Sequence, residues 1–221
     1  MDKFIFRAAT VSDIPFLVTT IIEAEKSGTD KLPYSTIFGL TEEEVRVSLE
    51  DILLEEIDGC ELSLSSFIVA ESDGQTAGAL SAWIEGDDGI PSTVVKGNLL
   101  HHILPKKCLE RGFALNAILY ELHIKYVPGT IQIGAIYVAE KFRGFNLSGL
   151  LTLEMISRLT KNKPELKAIY SHVFSCNEPA LRANEKLNYK VVQTLEATNE
   201  EILNYLPSNK KFEMKKDLTT N

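Results

Sequence analysis

The 221-residue chain concentrates its chemistry between residues 131 and 151. Residues 130–138 are rich in β-branched and apolar side chains and read as a buried strand ending at Val138. A short loop, Ala139-Glu140-Lys141-Phe142, leads into Arg143-Gly144-Phe145-Asn146-Leu147-Ser148-Gly149 and straight on into an amphipathic pattern. A strand, a turn of small residues and a helix start present unpaired backbone N–H groups and a positive dipole end to an anion. Arg143 adds a charged fork suited to phosphate oxygens, and Gly144 and Gly149 allow close approach. An ordinary strand-to-helix connection has the same outline. Neither G-x-x-x-x-G-K-[ST] nor G-x-G-x-x-G is present.

The elements around this loop follow from periodicity. Phe4 to Arg7 suggests a strand. Ile14, Leu17, Val18, Ile21 and Ile22 recur at helical spacing, with Ser12 as the expected N-cap and Gly28 as the stop. Residues 28–39 read as a loop. Thr41 and Glu44 form a capping box for a helix over 42–57. Strands over 66–72 and 76–85 flank the turn Asp73-Gly74. Residues 86–129 are too long for a structureless loop, so at least one helix is expected there. After the strand at 130–138 come a helix over 146–160, a strand over 166–175 and a short helix over 179–187. Two closing strands follow, over 189–195 and 211–217, with a helical turn at 200–206. This order predicts one α/β domain over 1–221, a mixed sheet with helices on its faces.

Lys and Arg total 23 against 31 Asp and Glu, a net charge of −8, which argues against a nucleic-acid partner. Three widely spaced cysteines, the polar start Met1-Asp2-Lys3-Phe4 and the absence of a long apolar run predict a cytoplasmic protein with no membrane partner. His101, His102 and His123 fit no metal spacing. The pairs Lys210-Lys211 and Lys215-Lys216 read as a solvated face of the final strand.

Taken together, residues 138–151 resemble the signature Q/R-x-x-G-x-G/A of the GNAT superfamily of acyl-CoA-dependent N-acyltransferases. A second stretch, from Asn177 to Tyr189, resembles that family's N-x-x-A-x-x-x-Y-x-x-x-G-F element, and Phe6-Arg7-Ala8-Ala9-Thr10 resembles its first strand. The resemblance spans most of the chain. It implies a mostly antiparallel mixed sheet of about seven strands, in which residues 86–129 form a helical insert where members commonly join the third and fourth strands by a short hairpin. It implies acetyl-CoA as cofactor, its pyrophosphate held by Arg143, Gly144, Phe145, Asn146, Leu147 and Ser148, with Gly149 adjacent. Tyr137 and Val138 would pair with the pantetheine arm. Asn177 would sit where the fourth and fifth strands part.

This chain departs from the pattern in places. Asn146 and Ser148 replace the two signature glycines, and Asn188-Tyr189 replaces Gly-Phe. Asn184 stands where many members carry a tyrosine that protonates the departing thiolate. An amide can hydrogen-bond the sulfur but cannot supply that proton. The fourth strand has no carboxylate, which leaves Glu85, Glu23 or Glu25 and His172 as base candidates, His172 also reading as a hydrogen-bonded core residue. The implied activity is direct acetyl transfer to a primary amine, on a small molecule or a peptide. The alternative is a silent coenzyme A-binding module of the same fold. Residues 99–126 are expected to form helices that cap the substrate pocket or join two copies as a homodimer, or else a surface decoration.

Overall fold

Seven apolar or alternating segments form one sheet in the computed structural model, which describes residues 4–55 and 57–218. The expectation about the first residues therefore lies outside the described residues, as does Glu56 within the expected helix at 42–57. The strands are β1 (Ile5–Ala8), β2 (Phe67–Ser72), β3 (Gln75–Ile84), β4 (Ile131–Val138), β5 (Ala168–Phe174), β6 (Lys190–Glu196) and β7 (Lys210–Asp217). Their order is β1-β2-β3-β4-β5-β7-β6. Every neighbouring pair is antiparallel except β4 and β5. The predicted turn between β2 and β3 is present, with Asp73 and Gly74 both at positive φ, 50° and 70°, as a two-residue hairpin turn requires.

The helices are α1 (Ile14–Lys26), α2 (Pro33–Phe38), α3 (Glu42–Leu54), α4 (Ser92–Ile103), α5 (Lys106–Ala114), α6 (Asn116–Leu119), α7 (Leu147–Asn162) and α8 (Glu178–Lys186). On one face of the sheet, Leu17 and Ile21 of α1, Leu49 of α3 and Leu99 of α4 pack with Val69 and Ala79. On the other face, Leu147, Leu151 and Met155 of α7 pack with Ile68, Leu80, Ile131 and Ile169. The site described below lies where β4 and β5 separate between these layers.

Three local expectations change. Residues 28–39 are not all loop, because Pro33 sits in the first turn of α2, where its missing N–H costs nothing. The expected helix at 42–57 closes at Leu54. Ser12 is not the cap of α1. A 3-10 turn, Val11–Asp13, comes first, and the Asp13 carboxylate accepts the Thr10 N–H at 2.8 Å.

Asp13 is 5% exposed and also accepts both terminal nitrogens of Arg7, at 2.7 and 2.8 Å. The Arg7 hydrogen bonds hold its carboxyl below the usual range. Its stabilising contribution is therefore present above the unfolded-state pKa and is lost as pH falls through the depressed folded value. Breaking a buried pair costs about 3–5 kcal/mol, and the half-exposed Arg7 reduces this. Asp13→Ala is expected to lower stability by about 2 kcal/mol at neutral pH, with a smaller loss in acid, as read by urea unfolding at both pH values.

The 86–129 interval is more helical than the periodicity indicated, because Pro91 and Pro105 act as N-caps of α4 and α5 rather than as breaks. The insert is tied to the body. Arg111 donates to the carbonyls of Thr36 and Ile37, at 3.1 and 3.2 Å. Thr198 donates its N–H and hydroxyl to Glu121, at 2.7 and 2.9 Å.

Candidate active site

The loop after β4 makes a 3-10 turn, Glu140–Phe142, whose Phe142 anchors in the core. Asn146 takes a left-handed conformation (φ 55°) and starts α7 without any side-chain cap. Asn tolerates that region better than most residues, which explains its place in the loop. The first intrahelical bond from this cap is Leu150 N–H to Asn146 O, at 3.1 Å. The N–H groups of Leu147, Ser148 and Gly149 are thus left to an external acceptor at the positive end of a four-turn helix. Gly144 is at φ 86°, and a Cβ there would meet nothing within 4 Å, so the approach is open. Arg143 is exposed beside it, its Nε donating to Val138 O at 3.3 Å. A Cβ at Gly149 would meet the Asn146 amide at 2.9 Å, so Gly149 makes room for the Asn146 side chain.

β4 and β5 pair only over Ile131–Ile133 and Ile169–Ser171. Beyond this point the two parallel strands part. β4 also carries a bulge. Leu80 faces Ile136 and Ala82 faces Ile133, so β4 has one residue more than β3 across this step. The Ala135 N–H donates to Ser81 Oγ at 2.8 Å and Ala139 N–H to Ala77 O at 2.9 Å, both toward β3. Strand amides alternate, so Ile136 and Val138 turn their backbone groups into the gap toward β5. Tyr137 does not: its carbonyl lies against Gly78 of β3, and its ring packs on Phe16 with centroids 5.9 Å apart. Ile136, absent from the sequence-based set, takes the gap-facing position expected of Tyr137. Asn177 follows the end of β5 and caps α8, accepting the Ala180 N–H at 3.2 Å.

Two adjoining cavities lie on this side of the sheet, and the smaller reaches the gap. The larger, about 530 Å³, lies between α1, α2, the insert and the ends of β5 and β7. The smaller, about 140 Å³, touches Ile133, Gly134 and Ala135 at the bulge and His172 and Phe174 on β5. Glu25, Glu61, Tyr126, Phe174 and Lys211 line both, so the two adjoin. Glu61 and Lys96 form an ion pair at 2.7 Å. Burial works to lower the Lys96 pKa, but Glu61, Tyr34 and Glu25 outweigh it and hold that ammonium charged. Glu25 makes no hydrogen bond or ion pair among the described residues, and burial raises its pKa. Lys211 projects over the Phe174 ring, 5.2 Å from its centroid, and burial lowers its pKa. The predicted solvated face of β7 is therefore wrong at this position. Lys211 and Glu213 sit opposite Phe174 and His172 and point inward.

The three named catalytic candidates lie apart. Glu85 is buried and fully used: it accepts Trp83 Nε1 at 3.0 Å and Ser92 N–H at 3.1 Å, as well as the Ser92 hydroxyl, and it lines neither cavity. Asn184 lies on the α7–α8 side of the sheet, donating to Ser171 Oγ at 3.0 Å and Met214 Sδ at 3.6 Å, and also lines neither cavity. His172 does line the smaller one. Its ring stacks on Tyr126 at 5.1 Å, burial lowers its pKa, and its Nε2 stands 3.6 Å from Glu213 without a hydrogen bond. Of the two carboxylates proposed on α1, Glu25 is the one that faces the cavities. Cys176 is exposed. His102 pairs with Glu55 and His123 stacks on Tyr120, so the histidines of the insert do not converge. Among the described residues no helix is long and apolar enough to cross a membrane.

No family profile matches the chain, and no curated protein matches it significantly. Solved structures do. An N-acetyltransferase from Staphylococcus aureus Mu50 superposes with a TM-score of 0.66 at 13% identity, covering 96% of this chain and all of the other. An agmatine N-acetyltransferase mutant aligns with a TM-score of 0.61 at 16% identity, over 98% of this chain and all of that one. The Drosophila melanogaster polyamine N-acetyltransferase, which forms N-acetylagmatine, aligns at 0.58 and 14% identity, over 97% and 100%. The chain thus has the fold of the GNAT N-acetyltransferases, an α/β mixed sheet flanked by helices.

Proposed function

We propose that this protein transfers an acetyl group from acetyl-CoA directly to a primary amine. One observation carries the reading: a cavity with an unpaired carboxylate, Glu25, adjoins the bulge where β4 leaves β5, while an uncapped helix start lies past the other end of the same strand segment. These features fit a long donor with an anionic end. The N–H groups at 147–149 and Arg143 suit its pyrophosphate, and the gap-facing backbone of Ile136 and Val138 suits an amide-bearing arm. The thioester then falls near Gly134 and Ala135. Agmatine and polyamine acceptors of structurally similar enzymes support an amine on the cavity side.

In this reading Glu25 takes one proton from the incoming ammonium. The freed amine attacks the thioester carbon, a C–N bond forms and the C–S bond breaks. The second amine proton ends on the departing sulfur. Glu25, with its raised pKa, suits the base role better than a solvated glutamate does. His172 lines the same space, and neither Glu85 nor Asn184 has access to it.

Calorimetric titration with acetyl-CoA followed by a thiol-release assay over a panel of primary amines tests the proposal. Binding together with amine-dependent release is the expected result. Binding without release from any amine fits the silent module, and no binding rejects both. Arg143→Ala is expected to weaken acetyl-CoA binding about three- to tenfold, less so at high salt, because the side chain is exposed.

A further inference from the structure

We infer that the acceptor is a free α-amino acid with a large apolar side chain, an inference that rests on the N-acetyltransferase reading above. The wall of the two adjoining cavities carries two carboxylates, Glu25 and Glu61, and two ammonium groups, Lys96 and Lys211. Glu61 and Lys96 satisfy each other at 2.7 Å. Glu25 and Lys211 do not: among the described residues neither has an ion-pair partner within 4.0 Å, and both line both cavities. Two opposite charges that act on each other only at a distance, neither with a direct ion-pair contact, therefore stand at the junction, beside the bulge where transfer is placed.

Burying an unmatched charge is costly, and a ligand that supplies the missing partner recovers that cost. An α-amino acid supplies both partners on one carbon. Its ammonium meets Glu25 and its carboxylate meets Lys211. Burial depresses the Lys211 pKa even though the Glu25 and Glu61 carboxylates work to raise it. A diamine supplies no anion for Lys211. A simple alkylamine would leave Lys211 desolvated and unpaired. A peptide N-terminus has no carboxylate beside its amine.

The side chain then has one direction to go. The larger cavity extends from the junction between α2 and the insert, walled by Ile37, Phe38, Leu100, Leu109, Phe113 and Leu119. Its volume of about 530 Å³ accommodates a leucine- or phenylalanine-sized group. The products are the N-acetyl amino acid and the coenzyme thiol.

The experiment compares kcat/KM for L-leucine and L-phenylalanine with that for isopentylamine and phenethylamine, the same amines without the carboxylate. Wild-type protein is expected to favour the amino acids by at least about tenfold, the scale of one charge-assisted hydrogen bond. Lys211→Met should collapse that ratio to near unity, and Lys211→Arg should restore most of it. A wild-type preference for the decarboxylated amines, or for putrescine, overturns the inference. So does a ratio that Lys211→Met leaves intact. If no amine is acetylated, the transferase reading has failed, and the acceptor class is judged by calorimetry with the same four compounds and no acetyl-CoA. Binding of the amino acids alone, lost in Lys211→Met, still supports the recognition site. No binding, or equal binding of all four, overturns it.

Discussion

Glu25→Gln is expected to lower kcat/KM for amine acetylation by roughly 10²–10⁴-fold, the usual worth of a positioned general base. The amide keeps the shape of the side chain and its place on α1 but cannot accept the ammonium proton. The pH dependence gives a second reading. Burial raises the Glu25 pKa, so the acid limb of the wild-type profile should lie above the ordinary glutamate range, because the carboxylate form is the active one. Glu61, Lys96, Lys211 and Tyr126 face the same space, and His172 borders its smaller part, so the limb belongs to a coupled group. In Glu25→Gln the limb moves or disappears.

Stability should change in the opposite direction to activity. A carboxyl whose folded pKa is raised favours folding below its unfolded pKa, and that contribution is lost as pH rises through the folded value. At neutral pH the buried charge is therefore a burden, and the glutamine variant should melt no lower than wild type. Full activity in Glu25→Gln, with an unchanged acid limb, would remove Glu25 from the mechanism.

Gly134→Val is expected to cost about 1–3 kcal/mol of stability and to lower turnover by 10²-fold or more. A Cβ at this position would stand 2.4 Å from Ser81 Oγ, 3.1 Å from Glu61 Cβ and 3.2 Å from the Trp83 ring. Ser81 Oγ is the acceptor that fixes the Ala135 N–H at 2.8 Å, so the new side chain pushes against the bond that shapes the bulge. The added methyls would also enter the smaller cavity, which Gly134 lines. The anion end of the site is built on the separate start of α7, so acetyl-CoA affinity should fall far less than turnover does. Urea unfolding, calorimetry and steady-state kinetics on the one variant separate these effects. Equal losses of binding and turnover would place the bulge outside the reacting region.

Much of the fold was legible because its signals are local. The Thr41–Glu44 capping box, the Asp73-Gly74 turn and the β-branched run of β4 each state their structure within a few residues. The step from strand through loop to helix at 138–147 was legible in the same way. Charges brought together by the fold were not. Glu25, Glu61, Lys96 and Lys211 come from four separate segments, and no spacing links them. One signal was available at β7, where Lys211, Glu213 and Lys215 alternate with Phe212 and Met214. Met214 is buried against α7 and α8, so the alternate residues had to face the opposite side of the sheet. Counting lysines as solvated missed that the opposite side is covered near Lys211 by α1 and the insert. Glu85 shows the converse error: a carboxylate at a strand end looks free in sequence, yet Trp83 and Ser92 occupy it.

The most direct test is a structure with acetyl-CoA bound. The pyrophosphate is expected on the N–H groups at 147–149 beside Arg143, the arm along the backbone of Ile136 and Val138, and the thioester at Gly134–Ala135 facing Glu25. A donor bound elsewhere, or a thioester out of reach of the cavity that Glu25 lines, would contradict it.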